Sequence, residues 1–486
     1  MFRTDAVRLV LIPVLASISA LASGGLSAAP VSGTVTEFSS PNGVVEQCIR
    51  IQPMPGAQIS NHDLKTESDY CELDLSRLAL CPKLWSTSPG TILYEFDTAA
   101  HGADPERFEN ANCANGHHAK AEALDKPAVY KMSVNARDTS ATYAPSSWIY
   151  YHFSRFLGAQ VHVPVAVYRS MDAAEHRRRV TSRALSLVEG KRHLRMLAAG
   201  WRFVESVESG NADKASSNAM LTDDGRQVFG VLLDNKGDRY GPEFNGTRES
   251  GWGSGQNLDF QQTAPFLALR NPAPLAEAAA QSVHDARKNP KMASALAADT
   301  SVEQVVFWMQ DVLEITLLDF ILGQQDRIGN IDYTWRWYWV EEGRVESKRA
   351  HHKEPPADLA AKNPLRLRQS AINDNDAGVR RGYADFAERT HMLEGLRHYN
   401  PRLYEQLGRL AADLGAKGPV YQWMTSSAGL STREADSIAA RAVHAFELLQ
   451  ADCKGGKLQF DLDPGAFLLS GGKAGAGSAR CEIGAE

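Results

Sequence analysis

The sequence has no excess of basic residues, because its 52 Lys and Arg stand against 58 Asp and Glu, a net charge of -6. A chain without a positive field lacks the long-range attraction that draws proteins to nucleic acids and anionic lipids. Hydrophobic residues make up 43% and charged residues 23%, the composition of a folded protein. We therefore expect a globular chain with no nucleic-acid partner.

Several catalytic and metal-binding motifs are missing as well. No two cysteines have the CxxC spacing of a zinc site, and neither GxSxG nor HExxH occurs. No repeat of fixed period is visible. These absences argue against a cysteine-rich zinc domain, against serine or zinc hydrolysis and against a repeat architecture.

Apolar runs of membrane-spanning length are absent after the first thirty residues. Arg3 and Arg8 precede the apolar stretch 9–22, and Ser27-Ala28-Ala29 offers the small residues of a cleavage site. This pattern predicts a signal peptide over residues 1–29, with an uncleaved anchor as the alternative, and no transmembrane segment in the mature chain. The expected location is periplasmic or secreted.

Cysteine is scarce but even in number, which suits an exported protein with up to three disulfides. The six residues are Cys48, Cys71, Cys81, Cys113, Cys453 and Cys481. Their pairing is open from sequence, since six cysteines allow about 15 arrangements. One possibility is a bond from Cys453 or Cys481 to the amino-terminal group, which would tie the two ends of the fold together.

The distribution of apolar patterns predicts an α+β chain with a small antiparallel-sheet lobe and a larger helical lobe. Its expected segments are the signal peptide 1–29, an irregular cysteine-containing extension 30–90, a small lobe 91–171, an insertion with helices and a hairpin 172–300, a helical lobe 301–455 and a tail 456–486. The hairpin is expected to turn at Asn235-Lys236-Gly237.

Within the small lobe a lysine stands on a strand that precedes a helix. The runs 91–96, 128–134 and 161–171 have the aromatic and β-branched residues of strands, and Lys131 lies in the second. Residues 146–159 between them have apolar residues at helical spacing, with Gly158 at the expected end. The predicted order is therefore strand with a central lysine, helix, strand.

Two polar segments lie in the helical half. Ser301 and Gln304 form a capping pattern before a helix so apolar that both faces must be buried. Asp326, Arg327 and Asn330 follow it on a loop before a tryptophan-rich strand, which we interpret as core in preference to a stacking surface for a base or sugar. The second segment, 370–379, contains Asp374, Asn375, Asp376 and Gly378. Such carboxylates and amides are ligands for magnesium or manganese that bridges phosphates.

The Asp-x-x-x-Asn loop of Asp326 and Asn330, followed by the Asp-Asn-x-x-Gly element from Asp374 to Gly378, resembles the catalytic and metal-binding loops of atypical kinases. The families it is similar to are secretory-pathway kinases of the Four-jointed type, type II phosphatidylinositol 4-kinases and HipA-like kinases. Their small lobe has a lysine on a strand before a helix, the place that Lys131 takes here. The resemblance implies a two-lobed kinase-like fold over roughly residues 91–450.

The resemblance also implies a role for each residue. Asp326 would orient the attacking hydroxyl or accept its proton, and Arg327 beside it would order the catalytic loop. Asn330 and Asp374 would hold the metal, with Asp332 and Asp376 as alternative ligands, and Lys131 would contact the phosphates of ATP. The implied reaction is phosphoryl transfer from ATP, with Mg²⁺ or Mn²⁺, to an unidentified protein, sugar or lipid hydroxyl.

The sequence departs from the family pattern in three ways that keep other functions open. The helix after Lys131 has no acidic residue to pair with it, the glycine-rich phosphate loop is matched by position alone at residues 101–116, and the gap from Asn330 to Asp374 is long. A catalytically inactive pseudokinase or binding module is the first alternative. A hydrolase that uses an aspartate pair, such as Asp326 and Asp374, is the second.

Overall fold

The computed structural model describes residues 31–234, 237–473 and 477–482. The predicted signal peptide and the turn residues Asn235 and Lys236 lie outside the described residues. The described chain is α+β with antiparallel sheets, which confirms the predicted class.

The larger sheet has eight strands, all antiparallel to their neighbours. They are β1 (Gly33–Ser39), β2 (Val45–Ile51), β3 (Ala79–Pro82), β4 (Thr91–Phe96), β5 (Ala123–Asp125), β6 (Val129–Met132), β7 (Ala166–Asp172) and β8 (Gln227–Leu233). The order is β1-β2-β7-β8-β6-β4-β3, with β5 paired to β4. Lys131 therefore lies on an inner strand, between β4 and β8.

A second sheet of four strands lies in the carboxy-terminal half. It contains β9 (Asp238–Arg239), β10 (Ile331–Glu341), β11 (Arg344–Arg349) and β12 (Leu365–Ile372). β10 is central, and its first residue, Ile331, pairs with the last residue of β12, Ile372. This register brings the loop before β10 next to the segment after β12, so the two polar segments predicted from sequence are neighbours.

Twenty-one α-helices complete the described chain. They are α1 (Asn61–Cys71), α2 (Thr98–His101), α3 (Pro105–Asn112), α4 (Gly116–Glu122), α5 (Ala144–Leu157), α6 (Ala173–His176), α7 (Ser182–Val188), α8 (Arg195–Glu208), α9 (Lys214–Asn218), α10 (Pro242–Asn245), α11 (Ser254–Phe260), α12 (Ala264–Arg270), α13 (Leu275–Ala286), α14 (Pro290–Ala295), α15 (Val302–Leu322), α16 (Ala357–Ala360), α17 (Phe386–Arg389), α18 (Pro401–Gly415), α19 (Pro419–Ser426), α20 (Thr432–Lys454) and α21 (Pro464–Leu469). None of these helices combines the length and apolarity needed to cross a membrane.

The two helices on which the sequence argument depended are present. α5 ends at Gly158, whose φ of 66° is the left-handed conformation that glycine adopts without a Cβ clash. α15 begins after Ser301, whose side chain accepts the Gln304 amide, and is buried on all sides from Gln304 to Leu322. One continuous hydrophobic core joins the larger sheet, α5, α15 and the carboxy-terminal helices.

We expected an irregular extension over residues 30–90, and this expectation is wrong. The described part of this segment contributes β1, β2, β3 and α1. The apolar alternation that identifies strands is weak here because β1 is an edge strand without a buried residue. β3 has only four residues, too few for a visible period. The sheet therefore recruits strands from both sides of the predicted small lobe, since β8 also joins it.

The expected hairpin in the 172–300 segment is wrong. β8 pairs with β6 and β7 in the larger sheet, whereas β9 pairs with β10 in the second sheet. Gly237 lies between them with φ 137°, and a Cβ there would come within 2.8 Å of the Tyr333 carbonyl oxygen. The short connection between β8 and β9 therefore links the two sheets, because β8 pairs within the larger sheet and β9 within the second sheet.

The three disulfides join cysteines that are neighbours in sequence: Cys48–Cys71, Cys81–Cys113 and Cys453–Cys481. The considered bond between the carboxy-terminal cysteines and the amino-terminal group is therefore wrong. Two bonds hold the sheet half, and the third anchors the tail to α20. Three disulfides fit a protein that folds in an oxidising compartment.

Candidate active site

A buried arginine fixes the loop between α15 and β10. The Arg327 guanidinium pairs with Asp319 of α15, with 2.9 Å between Nε and Oδ2. It also donates to the backbone oxygen of Asn373 at 2.7 Å and to Oδ1 of Asn375 at 2.8 Å. Burial opposes the charge, but the Asp319 carboxylate outweighs it and raises the pKa of Arg327. Arg327 thus ties the loop to the segment after β12 and positions both.

The segment after β12 is held in an unusual backbone conformation. Asp374 has φ 52°, in the left-handed region that costs a non-glycine residue about 1 kcal/mol or more. Its neighbours are pinned from the start of α5, where Ser146 Oγ donates to the Asn375 carbonyl at 2.5 Å and the Tyr143 amide donates to the Asp376 carbonyl at 2.6 Å. These contacts hold the carboxylates of Asp374 and Asp376 toward the larger sheet.

Lys131 reaches from β6 to both carboxylates. Its Nζ lies 2.5 Å from Oδ1 of Asp374 and 3.2 Å from Oδ2 of Asp376. Burial would lower the pKa of Lys131, but the two carboxylates raise it above its usual value. Burial likewise favours the neutral acid at Asp374, yet Lys131 and Lys83 hold its pKa well below the ordinary range. The structure thus joins residues 243 positions apart in one ionised cluster.

A second lysine lies beside this cluster. Lys83 follows β3, and its backbone amide donates to the Gly90 carbonyl at 2.8 Å. A Cβ at Gly90 would lie 3.9 Å from both Cγ of Lys131 and Cδ of Lys83, so both side chains run close to this glycine. Burial lowers the pKa of Lys83, the Lys131 charge lowers it further, and Asp374 and Asp376 oppose both.

Asp326 faces the same carboxylates from the α15–β10 loop. Its Oδ1 accepts the indole N–H of Trp252 at 3.2 Å, and its backbone amide donates to Gln324 Oε1 at 3.1 Å. Burial raises the pKa of Asp326, and the negative charges of Asp374 and Asp376 raise it further, although the Trp252 hydrogen bond lowers it. A carboxylate with a raised pKa is a stronger base than an exposed aspartate.

Asn330 closes the loop and meets a further cation. Its Nδ2 donates to the Asp326 carbonyl at 2.8 Å, and its Oδ1 accepts from Arg239 of β9 at 2.8 Å. Arg239 also pairs with the Asp332 carboxylate, which accepts a second bond from Asn373. The Asp332 carboxylate, considered as an alternative metal ligand, thus already pairs with Arg239 and accepts a hydrogen bond from Asn373.

The oxygen donors of this cluster suit a hard cation. Asp374, Asp376 and Asn330 supply carboxylate and amide oxygens, and Oδ1 of Asn373 is buried without a hydrogen-bond partner in the described part of the chain. Within the described ranges no three or more His, Cys, Asp or Glu form a metal-binding group. Mg²⁺ is commonly bound by one or two carboxylates together with water and phosphate oxygens. The side chains of Asp374, Asp376 and Asn373 thus present oxygen atoms of the type that a hard cation prefers.

The sequence-predicted residues occupy different parts of this arrangement. Lys131 and Asp374 are in contact, and Asp326 and Asn330 are hydrogen-bonded to each other on the neighbouring loop. Arg327 pairs with Asp319 and donates to the residues on either side of Asp374. Residues 101–116, considered for a phosphate loop, form α3 and the adjoining turns.

Three neighbours were missed: Lys83, Arg239 and Trp252. The first lies in a segment expected to be irregular and the second in the wrong hairpin. Trp252 lies in a glycine-rich loop, and a lone aromatic residue there was the available signal.

No protein-family model, no curated protein and no solved structure matches this chain.

Proposed function

We propose that this chain is an exported, metal-dependent phosphotransferase of the kinase-like type, which moves the γ-phosphoryl group of ATP to a hydroxyl. The observation that carries the proposal is the contact of Lys131, from the larger sheet, with Asp374, from the loop beside Asp326. A buried ammonium next to carboxylates and amides is suited to phosphates and their cation. The three disulfides support export.

The roles follow from the charges. Asp326 accepts the proton of the attacking hydroxyl, whose oxygen bonds to the γ-phosphorus as the bond to the β–γ bridging oxygen breaks and ADP leaves. Lys131 and Lys83 neutralise phosphate oxygens. Asp374 and Asn330 hold the metal, which supplies charge neutralisation between the phosphates when it is bound. Arg327 keeps the two loops in register.

The test compares two variants of the candidate site. Asp374→Asn is expected to abolish magnesium-dependent ATP binding, measured by calorimetry. Asp326→Asn is expected to retain ATP binding and to lower transfer of γ-labelled phosphate by about 10²- to 10⁴-fold. The acceptors are the chain itself, a mixed Ser/Thr peptide library and methyl pyranosides. Asp299→Asn, an exposed aspartate before α15, is the matched control. If both site variants fold and transfer phosphate at the full rate, the assignment is refuted.

One observation favours a binding-only function as the second candidate. α5 has no acidic residue, so both carboxylates that pair with Lys131 come from the 374–376 segment. A pseudokinase would bind magnesium and ATP without transferring phosphate. Binding measurements do not separate the two functions, whereas transfer of the labelled γ-phosphate does.

A further inference from the structure

An exposed aromatic ring lies directly beside the proposed base. Trp252 is 65% exposed, yet its indole N–H donates to Oδ1 of Asp326 at 3.2 Å. The edge of the ring packs against Phe386, with 5.4 Å between the ring centroids and an interplanar angle of 86°. The exposed face of the ring is therefore available to a molecule that approaches the Asp326 carboxylate.

The loop that presents Trp252 is rigidly built. Arg248, Gly251 and Gly253 all have positive φ, at 55°, 83° and 86°. Ser250 secures the turn, because its amide and hydroxyl donate to the two carboxylate oxygens of Asp259 at 2.9 Å and 2.7 Å. The indole is therefore held in one orientation before any substrate arrives, which lowers the entropy lost on binding.

The same loop is docked on the loop that contains Asp326. The guanidinium of Arg248 lies over Gly329, where a Cβ would come within 2.3 Å of its Nη1. Gly329 itself has φ 91°. The Trp252 loop and the Asp326 loop thus form one surface, and the indole and the carboxylate keep a constant relation to each other.

This geometry limits where an acceptor can bind. Oδ1 of Asp326 is engaged by the indole, whereas Oδ2 accepts no hydrogen bond within the described ranges. A hydroxyl that bonds to Oδ2 on the side of the indole lies beside the ring, because the ring N–H holds the other oxygen of the same carboxylate. A molecule that approaches from this side can place an apolar face on Trp252.

We propose that Trp252 is the acceptor-binding residue and that the acceptor is a pyranose sugar, whose C–H face stacks on the indole while one ring hydroxyl bonds to Asp326. The inference rests on the proposed phosphotransferase function. In the reaction the sugar oxygen bonds to the γ-phosphorus of ATP, the hydroxyl proton passes to Oδ2 of Asp326, and ADP leaves with the electron pair of the broken P–O bond.

The polar surroundings favour a sugar over a lipid. The residues on either side of the indole in the chain are Arg248, Glu249, Ser250, Gly251, Gly253 and Ser254. A lipid chain needs a continuous apolar surface, whereas a pyranose needs one flat apolar face with hydrogen-bonding groups around it. An exposed indole supported by Phe386, on a loop whose other residues are charged or small, matches the second requirement.

The experiment measures sugar binding without nucleotide. The probes are methyl β-D-glucopyranoside, methyl β-D-xylopyranoside and N-acetyl-D-glucosamine, followed by saturation-transfer NMR and calorimetry. Trp252→Ala is expected to weaken binding of the preferred pyranoside at least tenfold. Trp252→Phe keeps an aromatic face and is expected to bind within threefold of the wild type.

The matched control is Trp339→Ala. Trp339 also donates its indole N–H to a carboxylate, Glu341, at 2.9 Å, but it lies at the far end of β10. Unchanged pyranoside binding by this variant supports the proposal. Binding that survives Trp252→Ala, or that is lost equally with Trp339→Ala, overturns it.

The outcome is separable from that of the proposed function. Binding of a serine peptide or of a phospholipid headgroup at Trp252, with no pyranoside binding, overturns the sugar assignment while ATP binding stays measurable. Absence of magnesium-dependent ATP binding refutes the phosphotransferase function even where a pyranoside binds. If transfer is observed, Trp252→Ala is expected to raise the acceptor KM at least tenfold with the ATP KM unchanged.

Discussion

The charged cluster around Lys131 joins two parts of the molecule that contribute different charges. The larger sheet contributes Lys131 from β6 and Lys83 after β3, whereas the other part contributes the carboxylates of Asp326, Asp374 and Asp376. Lys131 pairs with Asp374 and Asp376 between the two parts, while Arg327 and Arg239 pair with Asp319 and Asp332 within the second part. The comparison shows that the ion pairs of Lys131 add to the shared hydrophobic core in joining the two parts.

The two sides are also stabilised differently. The sheet half has short strands, two disulfides and a buried ion pair in which Arg169 lies 3.1 Å from Glu46. The helical half is built around α15, whose residues from Gln304 to Leu322 are buried. The two halves thus share one hydrophobic core, and two of the three disulfides add covalent constraint to the sheet half.

The largest expected effect separates the chemical roles of the two sides. Lys131→Met is expected to raise the KM for ATP and to lower transfer by at least about 100-fold, since a phosphate contact is lost. Asp326→Asn is expected to lower kcat to a similar extent with the ATP KM unchanged, since the base is lost. Steady-state kinetics with γ-labelled ATP measure both. An unchanged ATP KM in Lys131→Met would contradict the assignment of this lysine.

Next in size is the effect of the same lysine on stability. Removing the cation leaves Asp374 and Asp376 without their partner, so Lys131→Met is expected to lower the free energy of unfolding by about 3 kcal/mol. Magnesium should recover more stability in the variant than in the wild type, because the proposed metal site uses the same carboxylates in the folded state. Urea denaturation with and without magnesium tests this, and Lys348→Met, an exposed lysine on β11, is the control.

Removal of a disulfide is expected to lower the free energy of unfolding by a comparable amount, but each removal should affect a different part of the molecule. Double alanine substitution of Cys48 and Cys71, or of Cys453 and Cys481, removes a loop of similar length and should cost about 3 kcal/mol in either case. The first pair is expected to lower hydrogen-exchange protection across β1, β2 and β7. The second should affect only the tail and the end of α20. Loss of protection in β2 from the second substitution would contradict the described division.

The smallest effect is a pH dependence that arises from three buried carboxyl groups of the helical half. Burial raises the pKa of Asp311 to about 6, of Glu314 to about 8 and of Asp385 to about 7. Because these groups return to ordinary values on unfolding, their contribution to stability is fully present below pH of about 4 and is lost as the pH rises through about 6 to 8.

Glu314→Gln should reduce this slope by at most about 1.4 kcal/mol per pH unit. The Glu314 carboxylate accepts the amides of Gln160 and Val161 at 2.8 Å and 2.7 Å, and a glutamine oxygen can keep these bonds. Denaturation at a series of pH values measures the slope, with the exposed Glu277→Gln as control. A slope unchanged from the wild type would show that Glu314 is ionised in the folded chain at neutral pH.

Strong periodicity made some elements predictable. α5, α15 and β4 were expected with nearly their observed bounds, because their apolar residues recur at helical or strand spacing. β1 and β3 were not, since an exposed edge strand and a four-residue strand have no such pattern. The 227–239 hairpin was wrong because local turn chemistry carried no information about the more distant strands that pair with β8 and β9.

For the candidate site, the two polar segments and Lys131 could be identified from their residue types in the sequence. Lys83, Arg239 and Trp252 were not predicted, because nothing in the sequence indicates which distant residues they contact, although Trp252 stood out as a lone aromatic residue in a glycine-rich loop. Their contacts depend on the β10–β12 register and on the path between the sheets.

The sequence by itself determined which charged and apolar residues are available: an apolar helix that must be buried, two segments with aspartate and asparagine, and six cysteines. Only the tertiary structure decided which cysteines form disulfides, which strands pair, and which charged side chains form ion pairs. The physical reason is that composition and periodicity report on the local chain, whereas electrostatic and hydrogen-bonding contacts depend on distances between residues up to 243 positions apart.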